Sequence, residues 1–144
     1  MATRPTADDL AAVHAANVRF YRAFESLTLA DMERLWAHTS YVACVHPGWQ
    51  RLVGWEAVRE SWDAIFRNTV EMRFTITDVR VEMRGDLAWV LCTENILSET
   101  RGNLAVTAIL ATNVFERHDP AWLMVHHHAS HILASPETRD ADPA

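Results

Sequence analysis

The stretch Trp122-Leu123-Met124-Val125-His126-His127-His128-Ala129-Ser130-His131 decides how this chain is read. It contains no Gly or Pro, follows a turn at His118-Asp119-Pro120-Ala121, and precedes a polar tail. A period of two places Leu123, Val125, His127 and Ala129 on one side and Trp122, Met124, His126, His128 and Ser130 on the other. A strand that is apolar on both faces at its start and polar toward its end is buried first and then opens on a cavity or an interface. It reads as the last strand of a sheet.

Working back from it, the preceding segments are also strands. Leu104–Arg117 and Leu87–Leu97 are separated by a turn at Arg101-Gly102-Asn103, and Arg84-Gly85-Asp86 makes another turn before them. Earlier still, Met72, Phe74 and Ile76 alternate on even positions, while Val79, Val81 and Met83 alternate on odd ones. That switch of parity predicts a β-bulge near Thr77-Asp78, which would curve the sheet. The strands 87–97 and 104–115 are apolar on both parities, with Trp89, Leu91 and Leu110 on one and Val90, Ile109 and Phe115 on the other. A sheet with one face in water would alternate with polar residues instead, so the second face needs a cover, and a homodimer is expected.

The first half is mainly helical. Asp8 or Asp9 is placed to cap a helix whose stripe is Leu10, Val13, Phe20, Phe24 and Leu27, with Ala16 and Tyr21 beside it and Asn17 at its edge. A short second helix starts at Thr28 or at Ala30-Asp31 and runs through Met32, Leu35 and Trp36. Ser40–Val45 reads as a strand ending in His46-Pro47-Gly48-Trp49, where the proline keeps His46 extended. Gly54 opens a third helix from Trp55 to about Asn68, with Val58, Trp62 and Ile65 inward. The expected architecture is one α+β domain over residues 8–133: a cone-shaped, curved antiparallel sheet packed on three N-terminal helices, with a cavity at its mouth. Residues 1–7 and 135–144 are expected to be disordered tails.

Composition narrows the partners. With 144 residues the chain is large enough to bury a core without staples. Its net charge of −6 and lack of any basic run exclude a nucleic-acid surface and an anionic-membrane anchor. It has thirteen arginines and no lysine, which excludes Schiff-base and phosphate-loop lysine chemistry and hints at a high-GC bacterial source. Cys44 and Cys92 lie in apolar runs and read as buried thiols of a reducing compartment. No secretory leader or membrane-length apolar stretch is evident, so a cytoplasmic location is expected, and no cofactor.

The element order, with His46-Pro47 ending the first strand, Gly54-Trp55-Glu56-Ala57-Val58 opening the third helix, and Trp122 followed by His126–Ser130 in the last strand, resembles the nuclear-transport-factor-2-like superfamily. Within it the chain looks most like SnoaL-like and ketosteroid-isomerase-like bacterial proteins. The resemblance implies a cystatin-like fold over about residues 8–133, but not one activity, since such domains include isomerases, dehydratases, hydrolases and non-catalytic assembly modules. It puts His46 where steroid isomerases hold their proton-shuttling Asp. The two oxyanion-binding acids of those enzymes have no match, since the first-helix Tyr falls near Phe20, with Tyr21 one residue off, and the Asp near Ala111, so steroid isomerisation is not supported. The last strand also resembles the association domain of calcium/calmodulin-dependent kinase II. The pocket positions of that domain correspond here to Glu94, Asn113 and Ala129, and its arginines are missing.

The candidate chemistry rests on few residues. His46, His127 and Glu94 are the candidate catalytic groups: two imidazoles for proton transfer and a carboxylate in a central strand that costs free energy unless partnered. Trp49, Asn113 and Trp62 are the candidate ligand-binding residues, with Trp49 at the mouth of the pocket. His46, Glu94, Asn113 and His127 are expected to converge on one cavity, with imidazole pKa values raised by the carboxylate unless desolvation outweighs it. No metal site is expected, because consecutive strand residues alternate faces and at most His126 and His128 could share an ion. Two readings stay open: a small-molecule enzyme or binder for an apolar or aromatic ligand, possessing histidine acid–base chemistry, and a non-catalytic dimeric assembly or partner-binding module with a vestigial cavity.

Overall fold

The computed structural model describes residues 6–133. Helix α1 (Ala7–Ser26) starts one residue after Thr6, which caps it together with Asp9 in a reciprocal capping box. Asp8 and Asp9 therefore lie in the first turn rather than at the cap, and Thr6 and Ala7 belong to the helix rather than to a tail. The other expected tail residues, 1–5 and 135–144, fall outside the described residues. The helix ends at Leu27 in a left-handed conformation with φ 55°. Val13, Ala16, Asn17, Phe20, Tyr21, Ala23 and Phe24 form its buried face.

Helix α2 is shorter than its sequence suggests, ending at Glu33 (Leu29–Glu33). Leu35–Ala37 leaves the helical path because it docks on the last strand instead: Met124 N–H donates to the Leu35 carbonyl at 2.8 Å and Ala37 N–H to the Met124 carbonyl at 3.0 Å. Strand β1 covers only Ala43–Val45 rather than Ser40–Val45, and a two-residue strand β2 (Leu52–Val53), unforeseen in the sequence, pairs with it. Gly54 then caps helix α3 (Trp55–Arg67) with φ 91°, a conformation that disfavours a side chain, while its N–H donates to the Val42 carbonyl at 2.8 Å.

The remaining chain is β3 (Glu71–Arg84), β4 (Leu87–Thr100), β5 (Asn103–His118) and β6 (Ala121–His131). The sheet order is β2-β1-β6-β5-β4-β3, curved and unclosed, with the helices on its concave side. It is antiparallel except where β1 runs parallel to β6, opposing Cys44 to His127. No helix among the described residues is long and apolar enough to cross a membrane.

Two bulges bend the sheet. The first falls between Thr77 and Arg80, as the parity switch predicts, with Asp78 at φ 54°. It absorbs Val79, so inward alternation resumes at Val81. The second was not read from the sequence. Between Val114 and Phe115 the register slips, leaving Val125 as an extra residue on β6. This corrects the strict alternation of the opening stretch: Trp122 and Met124 point inward before the bulge, and Val125, His127 and Ala129 after it. Both pieces of β6 can then face the core.

Candidate functional site

The buried polar residues collect on the concave face around the Val125 bulge. His46 stands at the end of β1, followed by a turn in which Trp49 N–H donates to the His46 carbonyl at 2.9 Å. Its Nε2 lies 2.9 Å from Ser61 Oγ on α3. The Ser61 hydroxyl donates to the Val58 carbonyl at 2.6 Å, so it can only accept from His46. That assigns the imidazole proton to Nε2 and leaves the lone pair on Nδ1. Trp62 packs edge-on to the ring at 4.7 Å, and Trp49 at 5.0 Å.

The next imidazole lies 6.3 Å away, ring to ring, at His127. Its Nδ1 meets Asn113 Oδ1 at 2.5 Å across the β5–β6 pair. The Asn113 amide donates to Asn17 Oδ1 at 2.8 Å and to the Tyr21 hydroxyl at 3.1 Å, and Tyr21 donates to Glu94 Oε2 at 2.6 Å. The order of donors makes Asn113 Oδ1 an acceptor, so His127 carries its proton on Nδ1 and its lone pair on Nε2. A hydrogen-bonded chain thus runs from His127 through Asn113 and Tyr21 to Glu94, with His46 and Ser61 alongside.

Exposure is 3% for His46, 2% for Glu94, 0% for Asn113 and 1% for His127. The four are brought together, but in a packed interior sealed by Phe20 and Trp62 rather than around an open cavity. Trp49, 44% exposed, covers His46 from outside. Trp62 has no exposed surface and packs on Phe20, Phe24 and Phe66, which makes its ring core rather than pocket wall. Asn17, read as an edge residue, is buried within the network. Ser61 and Tyr21 were not among the sequence candidates. For Tyr21 the available signals were its place beside the apolar stripe of α1, one turn from Asn17, and its position one residue from where the resemblance puts an oxyanion-binding Tyr. His126 and His128 lie on the opposite, convex face, with rings 5.9 Å apart. Among the described residues no group of three or more possible ligands gathers around a metal position.

Burial sets the proton affinities. It lowers His46 to about 4 and takes His127 well below the ordinary imidazole value, with His46, His126 and His128 adding repulsion. This corrects the expectation of raised imidazole values: Glu94 contacts neither ring, so desolvation dominates. The same burial raises Glu94 to about 7, only partly opposed by the Tyr21 hydrogen bond, and pushes the Tyr21 phenol well above its usual range.

Stability should register these displacements. Below the unfolded imidazole value of 6.5, the unfolded chain takes up protons that buried His46 refuses, so stability falls as pH drops from 6.5 toward about 4. Glu94 acts in the opposite sense: above 4.5 the unfolded carboxyl ionises while the folded one stays neutral, so stability falls as pH rises to about 7. Either gap amounts to roughly 3 kcal/mol. Glu94→Gln, which cannot ionise, should therefore gain on the native protein by up to that amount across the window from 4.5 to about 7 in urea titrations. Parallel pH profiles for the two proteins would refute a buried neutral carboxyl.

Comparison with known proteins adds a context to this geometry. The sequence model described as the SnoaL-like domain matches residues 13–135. A solved structure described as a "putative dehydratase" of the NTF2-like family from Streptomyces avermitilis is 41% identical, superposes with a TM-score of 0.83, and covers 88% of this chain and 98% of its own. A second, a "putative calcium/calmodulin-dependent protein kinase type II association domain" from Thiobacillus denitrificans, is 36% identical with a TM-score of 0.73, over 83% of this chain and 94% of its own. The F-box protein SKIP8 of Arabidopsis thaliana is 33% identical over 122 residues, or 85% of this chain. The present chain spans about half the length of that curated relative, 50% of it.

Proposed function

Because this chain belongs to the SnoaL-like domain family, we propose that its buried polar network performs acid–base chemistry on a small, mainly apolar carbonyl compound, with dehydration of a β-hydroxy carbonyl as the reaction. The observation that carries this reading is the burial of His46, His127 and Glu94 in one interior, which favours neutral imidazoles and raises the carboxyl to about 7. Groups whose environments push their pKa values apart can take opposite roles at one pH. His46 is the base, through the Nδ1 lone pair left free by Ser61, and removes the proton next to the carbonyl. The electrons form the carbon–carbon double bond, and the β-hydroxyl leaves as water with the Glu94 proton, while the Tyr21 hydroxyl, donating to Glu94 Oε2, holds the carboxyl in place. His127 holds the carbonyl end of the network through Asn113. The dehydratase description of the Streptomyces neighbour is consistent with this class of reaction.

The test is proton exchange and alkene formation followed by NMR in D2O with β-hydroxy ketones and β-hydroxy acids. Activity requires neutral His46 and neutral Glu94, so the rate should be level between about 4 and about 7 and fall on either side. No turnover at any pH within that window would end the proposal.

A specific observation favours a second reading, an assembly module. The convex face of the sheet leaves Leu110 52%, Leu104 72% and Val106 83% exposed, beside Leu91 and Leu97. A second copy of the chain, packed sheet to sheet, is the proposed cover. Light scattering at micromolar concentration should give twice 16.4 kDa, and Leu110→Glu should shift the protein to monomer by placing a charge in the apolar contact. A monomeric native protein would refute the pairing.

A further inference from the structure

A surface cleft of about 330 Å³ separates α1 from β3, lined by Val18, Tyr21, Arg22, Glu25, Phe74 and Ile76. Its position follows from the sheet. Among the described residues β3 is an edge strand, paired only with β4, and α1 lies across its inner side. Glu25 closes part of that edge by accepting from the Phe74 N–H at 2.9 Å, so its carboxylate is engaged with backbone rather than with Arg22. Val18, Phe74 and Ile76 form an apolar part of the wall beside the charged Arg22 and Glu25, and the Tyr21 ring also lines it, its hydroxyl binding Glu94. Ile76 pairs directly with Glu94 across the β3–β4 ladder. A molecule seated in the cleft would be separated from the acid by one side chain.

The charge at the mouth is the second observation. Arg22 also lines an adjoining hollow of about 240 Å³ with Arg19, Asp31 and Arg34. Asp31 is already paired with Arg34. Arg19 and Arg22 have no ion pair among the described residues, and both are exposed, Arg22 on the cleft and Arg19 on the adjoining hollow. In a chain of net charge −6 this is a local reversal of sign. A guanidinium fork matches a carboxylate in shape and charge, while Val18, Phe74 and Ile76 offer apolar contact beyond it, the Glu25 carboxylate being held on the Phe74 N–H.

We propose that this cleft binds small amphipathic carboxylates, with the anionic end on Arg22, supported by Arg19, and the apolar body along Val18, Phe74 and Ile76 toward Tyr21. Binding itself stands on the cleft and its charge. That the ligand is also the substrate rests on the proton-transfer reading given above.

The probe is phenylpropanoate, with the uncharged phenylpropanamide as its matched partner, titrated by NMR and by thermal shift. Phenylpropanoate should bind the native protein and raise its melting temperature, more weakly as salt is raised, and the amide should bind roughly tenfold or more weakly. Arg22→Gln should remove that preference, and Val18→Trp, at an exposed position on the cleft wall, should block both probes. Arg67→Gln, on α3, should bind as the native protein does. Absent binding of phenylpropanoate, equal binding of the amide, or unchanged affinity in Arg22→Gln would overturn the proposal. If phenylpropanoate binds as described but no β-hydroxy carbonyl is turned over, the catalytic reading fails and the binding site stands. If turnover is found and Arg22→Gln affects neither it nor binding, the reverse holds.

Discussion

Trp62→Ala should lower the unfolding free energy by about 3–5 kcal/mol, because it removes the largest ring from the centre of the fold. Trp62 has no exposed surface, and Phe20, Phe24, Phe66, His46 and His127 all pack around it within 6 Å, ring to ring. These neighbours come from α1, α3, β6 and the end of β1, so the void cannot close by moving one element. The loss adds the transfer free energy of the ring to the cost of a cavity. Trp62→Phe should cost much less than the alanine variant, since a ring remains and the buried Nε1–H, which has no hydrogen-bond partner among the described residues, disappears. Urea unfolding of both variants measures the difference. A loss below about 1 kcal/mol for Trp62→Ala would mean that the ring borders open space, as a ligand-stacking residue would.

The largest effect on activity is expected from His46→Gln, with a fall of roughly 10²–10⁴ in the rate of proton removal. Glutamine keeps an amide that can donate to Ser61 but has no lone pair of imidazole basicity, so the fold should be retained while the base is lost. Glu94→Gln is the complementary variant. It retains an acceptor for Tyr21, loses the transferable proton, and should remove the decline of rate above about 7 together with most of the dehydration. Proton exchange without loss of water in Glu94→Gln would separate the roles of base and acid. Equal rates for native protein and His46→Gln would exclude His46 as the base and leave His127 Nε2 to be tested in the same way.

The strand pattern was legible in the residues themselves. Within an unbroken stretch of strand side chains alternate between faces, so apolar Val90, Ile109 and Val125 placed Glu94, Asn113 and His127 inward, and a change of parity marked the bulge at Thr77-Asp78. These are local facts: each depends on a few consecutive residues and on the two-residue repeat of a strand. The apolar second face of β4 and β5 was visible for the same reason.

What the tertiary structure decided depends on partners far apart in the chain. The Val125 bulge exists because β6 must match β5 on one side and both β1 and the Leu35–Ala37 segment on the other, a constraint no single strand carries. Asn17 and Tyr21 become parts of the site through residues 96 and 73 positions away, Asn113 and Glu94. The direction of the imidazole shifts was likewise a matter of distance and enclosure. Glu94 reaches Tyr21 rather than either histidine, and burial, aided at His127 by repulsion from the other imidazoles, keeps the rings neutral.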